Sequence, residues 1–87
     1  MLPPTKPFAV SSPVELVTSI VKSLVDKPEK VEGRWLETEK TVEINVMPED
    51  RGKVIGRRGK TIDSLRILVS AVFGPSGERI DVKLREE

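Results

Sequence analysis

Two glycines three residues apart, Gly56 and Gly59, bracket Arg57 and Arg58, and Lys60 and Thr61 follow. Glycine turns with clustered cations serve phosphate recognition. The stretch Gly59-Lys60-Thr61 matches the end of the nucleotide-binding pattern G-x-x-x-x-G-K-[ST]. That pattern needs a glycine at position 54, where the chain has Val54. The dinucleotide fingerprint G-x-G-x-x-G ending at Gly59 needs the same glycine. A β-branched valine neither turns tightly nor lets a pyrophosphate come close, so both readings fail at one residue. What survives is Gly56-Arg57-Arg58-Gly59, with the apolar pair Val54-Ile55 before it and Lys60 after it.

The charge around this motif is uneven. Residues 51–60 carry Arg51, Lys53, Arg57, Arg58 and Lys60 and no acid, although the whole chain is only +1. The remaining residues are therefore net acidic, and the basic stretch is a patch on a mildly acidic body. The bland alternative is a solvated loop, but cations that alternate with glycines and flank an apolar pair point to a ligand. Other chemistries are poorly served. The chain has no histidine and no cysteine, so the commonest general base and metal ligand is missing and no disulfide or thiolate chemistry is open. No catalytic residue, metal, cofactor or small-molecule substrate is expected. No apolar run approaches the ~20 residues of a membrane span, and the N-terminus does not read as a signal peptide. A soluble cytoplasmic protein is expected, with no membrane partner.

At 87 residues the chain reads as one small domain. Residues 1–11 hold three prolines and no periodicity and read as a flexible tail, leaving 12–87 as the domain. Ser12-Pro13-Val14-Glu15 is a capping box with proline at the first helical position. The helix it opens has Val14, Val17, Ile20, Val21, Leu24 and Val25 at helical spacing and ends at Asp26-Lys27-Pro28. Residues 31–36 read as a short strand and 37–40 as a polar turn. In residues 41–47, Val42, Ile44 and Val46 alternate with Glu43 and Asn45, giving a half-buried strand and a hairpin. Pro48 opens a short helix to about Ile55, with Glu49 and Asp50 in its first turn. Gly52 reads as a packing glycine inside it. After the Gly56–Gly59 turn a helix runs from Lys60 to about Phe73, stopped by Gly74-Pro75. Residues 79–84 form a third strand. The order is α-β-β-α-α-β.

These residues carry a resemblance. Val54-Ile55-Gly56-Arg57-Arg58-Gly59-Lys60-Thr61-Ile62 matches the V-I-G-x-x-G-x-x-I signature of KH domains, and the element order resembles the type II KH fold. Residues 20–28 and 47–56 look like the small single-KH bacterial proteins of the KhpA family. The resemblance spans about residues 13–85. It implies an α+β fold, a three-stranded sheet with three helices on one face. It also implies a loop that clamps about four nucleotides of single-stranded RNA, with bases over an apolar groove. Lys53, Val54, Ile55, Gly56, Arg57, Arg58, Gly59 and Lys60 would then contact RNA. Val54, Ile55 and part of the strand in 41–47 would line the groove.

The residues support the same mechanism independently. Glycines at both ends of the turn allow close backbone approach, and the helix that starts there directs its positive dipole end at phosphate. Arg51 and Arg66 stay open between surface and contact. The aromatics are Phe8, Trp35 and Phe73, with Trp35 read as packing or interface and Phe73 as core. No base-stacking platform accompanies the patch, so weak binding of low sequence specificity is expected, strengthened by avidity through a partner. On the helix from Lys60, the expected core stripe is Ile62, Leu65, Leu68, Val69, Val72 and Phe73. Ile67 lies almost opposite, with Ser64 and Ala71 beside it, as a dimer face. The family resemblance implies a homodimer or a heterodimer with a KH-containing partner, KhpB. The expected function is that of a non-enzymatic RNA chaperone or post-transcriptional regulator. The alternative is a protein-interaction module that uses the same fold as a scaffold. A nucleotide hydrolase or a DNA-reading helix-turn-helix fits less well.

Overall fold

A computed structural model describes residues 11–74 and 78–86. The expected tail, apart from Ser11, and Pro75 lie outside the described residues. The first helix, α1 (Pro13–Leu24), starts where its capping box predicts. Ser12 Oγ accepts from the Glu15 N–H at 3.1 Å. The return contact differs from the usual box. Glu15 reaches one residue further, accepting from the N–H and hydroxyl of Ser11 at 3.1 and 2.9 Å. Ser11 thereby belongs to the helix cap and not to the tail.

A single 3₁₀ turn (Pro28–Lys30) leads into β1 (Glu32–Leu36), which pairs antiparallel with β2 (Thr41–Asn45). The four-residue turn between them closes through the Lys40 N–H and the Glu37 carbonyl at 3.3 Å, with Lys40 at φ 49°. β2 stops two residues short of the expected end. Met47 precedes Pro48 and is extended, and proline has no N–H to continue a ladder. A 3₁₀ turn (Pro48–Asp50), the five-residue α2 (Arg51–Ile55), a 3₁₀ turn (Arg57–Gly59) and α3 (Lys60–Phe73) then return the chain to β3 (Asp81–Leu84). β3 lies parallel to β2, giving the sheet order β1-β2-β3. The expected α-β-β-α-α-β order is present.

All three helices cover one face of the sheet. Val42, Ile44, Val82 and Leu84 point into it and are buried against Val17 and Val21 of α1, Val54 of α2, and Ile62, Leu65 and Val69 of α3. Trp35 packs on this core from β1, as expected, as does Phe73. The core is dominated by β-branched side chains, which suit a pleated surface and leave little slack. Gly33 is what lets α1 lie close to β1: a Cβ there would sit 2.5 Å from Thr18 Cγ2.

The core-facing arc of α3 is narrower than its sequence suggests. Leu68 and Val72, expected in the stripe, are 49% and 59% exposed. The reason lies on the other flank. Ser70 Oγ accepts from the Ile80 N–H at 2.9 Å and donates to its carbonyl at 3.1 Å. Arg66 Nε donates to the Val82 carbonyl at 3.1 Å and pairs with Asp81 at 2.6 Å, while its Nη1 meets Asp63. The two side chains, one turn apart, close the outer edge of β3 that would otherwise expose unpaired backbone. They orient α3 toward that edge and leave the Leu68–Val72 flank uncovered. Arg66 is thus structural. The Ile80 pairing with Ser70 also explains why β3 begins at Asp81 and not at residue 79.

Among the described residues one carboxylate is fully buried. Asp50 accepts from the N–H groups of Asp26 and Lys27, just past α1, at 3.2 and 3.1 Å. Lys53 faces it, 3.6 Å away, and also pairs with Asp26 at 3.1 Å, while Lys27 meets Glu49 at 3.7 Å. Burial pushes the Asp50 carboxyl up, but the two backbone N–H groups and the Lys53 charge outweigh it and hold the group below its ordinary value. A carboxylate so held stabilises the fold above its unfolded-state pKa of ~3.9, and that stability is lost as pH falls through the lower folded value. Circular dichroism melts from pH 7 to pH 2 are expected to show an unfolding midpoint that drops below about pH 4. Asp50→Asn should melt lower at neutral pH and show a smaller acid drop. An equal drop in the variant would assign it to other carboxylates.

Candidate nucleic-acid interface

The crossover from β2 to β3 places the glycine–arginine loop at the end of the sheet where β2 exits. α2 passes directly into it, the Gly56 N–H closing on the Gly52 carbonyl at 2.9 Å. Gly56 sits at φ 77° and Gly59 at φ 73°, where side-chain-bearing residues are strained. Gly56 is doubly required, because a Cβ there would fall 2.1 Å from Thr61 Oγ1. The turn is pinned by the Gly59 N–H on the Gly56 carbonyl at 3.1 Å. Arg58 itself adopts the left-handed region, φ 57° and ψ 26°. A non-glycine residue in that region is uncommon, and such strain collects at functional loops.

Arg57, Arg58 and Lys60 are exposed, and none of them has an ion-pair partner among the described residues. α3 begins beside them with no side-chain cap on its first turn. The Lys60 N–H closes on the Arg57 carbonyl, and the positive end of the helix dipole faces this edge. Three free cations, a helix N-terminus and a glycine turn converge on one exposed edge, an arrangement that can hold the phosphates of an extended polyanion.

Other expected contacts are placed differently. Val54 is fully buried, so its expected place in a ligand groove is corrected: it anchors α2 to the core. Val42, Ile44 and Val46 are buried too; the cleft that Val46 lines is shared with Glu29, Glu32, Asn45 and Met47 and with no residue of the loop. Ile55 keeps 38% of its surface and is the apolar residue beside the loop that a ligand can reach. Lys53 is not a free cation, since Asp26 and Asp50 hold it. Arg51 turns to the end of β3, donating to the Arg85 carbonyl at 2.8 Å. Gly52 is not a packing glycine: it faces outward on α2, and a Cβ there would meet nothing within 4 Å. An open cleft of about 640 Å³ does exist, but it lies beside α3, lined by residues that include Asp63, Ile67, Ser70 and Arg79. The role of Asp50 was not foreseen. Its sequence position suited a helix dipole, and nothing local marks it as a partner of residues 26 and 27.

The strip of α3 around Ile67 is exposed and extends beyond Ser64, Ile67 and Ala71. Ile67 is 69% exposed, and Leu68, Val72 and Ala71 join it. Ser64 turns its hydroxyl back to the Lys60 carbonyl at 2.8 Å and so presents little polar demand. Among the described residues no group of histidines, cysteines or carboxylates could hold a metal, and no helix is long and apolar enough to cross a membrane.

The sequence profile of the KhpA/KhpB KH domain matches residues 14–84. The RNA-binding protein KhpA of Mycobacterium tuberculosis (strain ATCC 25618 / H37Rv) is 42% identical over 71 residues, covering 79% of this chain and 88% of that protein. The RNA-binding protein KhpA of Borreliella burgdorferi is 38% identical over 73 residues, covering 82% and 89%. That of Caldanaerobacter subterraneus subsp. tengcongensis is 39% identical over 72 residues, covering 80% and 96%. With the α+β architecture and the Gly56–Gly59 loop, these matches establish that the chain belongs to the KhpA/KhpB family of KH-domain proteins.

Proposed function

We propose that this protein is a non-enzymatic, cytoplasmic RNA-binding protein that clamps the backbone of single-stranded RNA at Gly56-Arg57-Arg58-Gly59. It would act as an RNA chaperone or post-transcriptional regulator. The observation that carries the reading is the set of unpaired cations, Arg57, Arg58 and Lys60, at the uncapped start of α3. The relatives named RNA-binding protein KhpA support the choice of RNA. In this reading the glycines admit the sugar–phosphate chain, the arginines and Lys60 take phosphates, and Ile55 meets a base. Among the described residues the aromatics, Trp35 and Phe73, pack on the core, so affinity comes mainly from phosphates and is weak and salt-dependent.

A labelled single-stranded RNA pool titrated at several salt concentrations tests this. Three or four phosphate contacts should give a log–log salt slope of about −2 to −3. Arg57→Asp with Arg58→Asp should abolish binding without lowering the unfolding midpoint, because neither side chain has a partner to lose. Binding that persists in the variant would remove the loop as the clamp.

A second reading, a protein-interaction module, is favoured by the exposed apolar face of α3. The two readings are compatible if that face pairs with a second copy or with a KhpB-type chain and supplies avidity. Ile67→Glu is then expected to leave the circular dichroism spectrum unchanged and to halve the mass seen by light scattering. A wild-type protein that is monomeric at high concentration, with no mass change in the variant, would remove self-association through this face.

A further inference from the structure

Lys53 stands four residues before Arg57 and adds to the same run of positive charge, yet its ammonium is taken by two carboxylates. It is held by Asp26 at 3.1 Å and by the buried Asp50 at 3.6 Å. We infer that Asp50 and Lys53 are positioning residues for the nucleic-acid clamp: they lock α2 to the exit of α1 and so set the loop, and neither touches the ligand. The inference rests on the RNA-clamp reading of the loop.

A helix of five residues, such as α2, does not hold itself together in water. Two anchors hold it here. Val54 ties one side to the core. Asp50, immediately before the helix, ties its start to the Asp26 and Lys27 N–H groups, and Lys53 on the next turn grips the same place. The α1 exit is itself fixed by the buried Val21 and Val25. The far end of α2 continues into Gly56 through a backbone hydrogen bond of 2.9 Å. No linker separates the lock from the loop, so a tilt of α2 at Asp50 moves Gly56 and the arginine that follows.

Charge argues the same way. Lys53 has a carboxylate on either side, and those contacts raise its pKa, the Asp26 hydrogen bond contributing most. Drawing it off to a phosphate would leave Asp50 buried without its countercharge, which costs more than an exposed phosphate contact returns. Asp50 cannot face a ligand at all, having no exposed surface.

The salt dependence of binding separates a positioning residue from a phosphate contact. Arg57→Ala should make the log–log slope shallower by about 0.7, the signature of one lost contact on a single strand. Lys53→Met and Asp50→Asn should weaken binding at every salt with the slope unchanged. The loss expected is roughly tenfold, that of a loop whose competent arrangement falls to one molecule in ten. Lys53→Arg should restore affinity. A slope loss in Lys53→Met equal to that of Arg57→Ala would overturn the assignment, as would unchanged affinity in Lys53→Met. Lys53 is partly exposed, so this variant carries the test even if Asp50→Asn unfolds. Wild-type protein that binds no RNA would defeat the clamp reading instead. The lock would then be read from the amide resonances of residues 56–59: displacement in Lys53→Met supports it, and unmoved resonances reject it.

Discussion

The parallel pairing of β2 and β3 governs the rest of this molecule. Parallel neighbours cannot be joined by a tight turn, so the chain must leave the end of β2, travel back over the sheet and enter β3 from the other end. α2, the glycine–arginine turn and α3 are that crossover. Because α3 carries the return, it runs against the strands, and its N-terminus falls at their carboxyl ends. The turn and the positive end of the helix dipole are therefore brought together by topology, where open α/β sheets also place their ligands. The basic, glycine-turned edge is a consequence of how two strands pair.

α3 then serves several surfaces at once, and the division follows from the narrow sheet. Three strands cover only a limited arc of a helix. Ile62, Leu65 and Val69 fill it. Arg66 and Ser70 spend the flank beside β3 on closing that strand's open edge. What remains is an outward strip of Ile67, Leu68, Ala71 and Val72, with nothing in the described chain to cover it. Charge is apportioned in the same way. Arg34, Lys40 and Lys83 meet Glu43, Glu37 and Glu39. Arg66 and Lys53 are held within the fold. Arg57, Arg58 and Lys60 are among the cations with no ion pair in the described residues, and they stand within four positions of one another, so a nearly neutral protein still presents a basic cluster.

The sequence made some of this legible and hid the rest for identifiable reasons. The limits of α3, Lys60 to Phe73, could be read because a glycine stands at each end and apolar residues recur between them. β2 could be read because its alternation is clean. The loop could be read because glycine and arginine at that spacing have few structural uses. Leu68 and Val72 misled because a helical wheel shows which residues could face a core, not how wide the core is. Lys53 misled because a run of cations gives charge without partners, and its partner Asp26 lies 27 positions back, just past α1. Gly52 misled because a glycine inside a helix suggests crowding, whereas this one faces open space. In each case the missing information was a contact between distant segments.

The strain at Arg58 bears on how the loop works. A left-handed arginine is costly, and it is kept here between a glycine turn and the start of a fourteen-residue helix. The loop is thus already bent before any ligand arrives. Bending it is a cost met in folding and not in binding, which helps a site whose attraction is mostly electrostatic and spread over few contacts. Preorganisation of this kind raises affinity for any single strand that can present its backbone, and it adds no preference for sequence. In the proposed function the loop gains selectivity by acting more than once on the same strand. The outward strip of α3 is suited to that purpose, because a partner seated along the helix side would leave its N-terminus, and the loop, open.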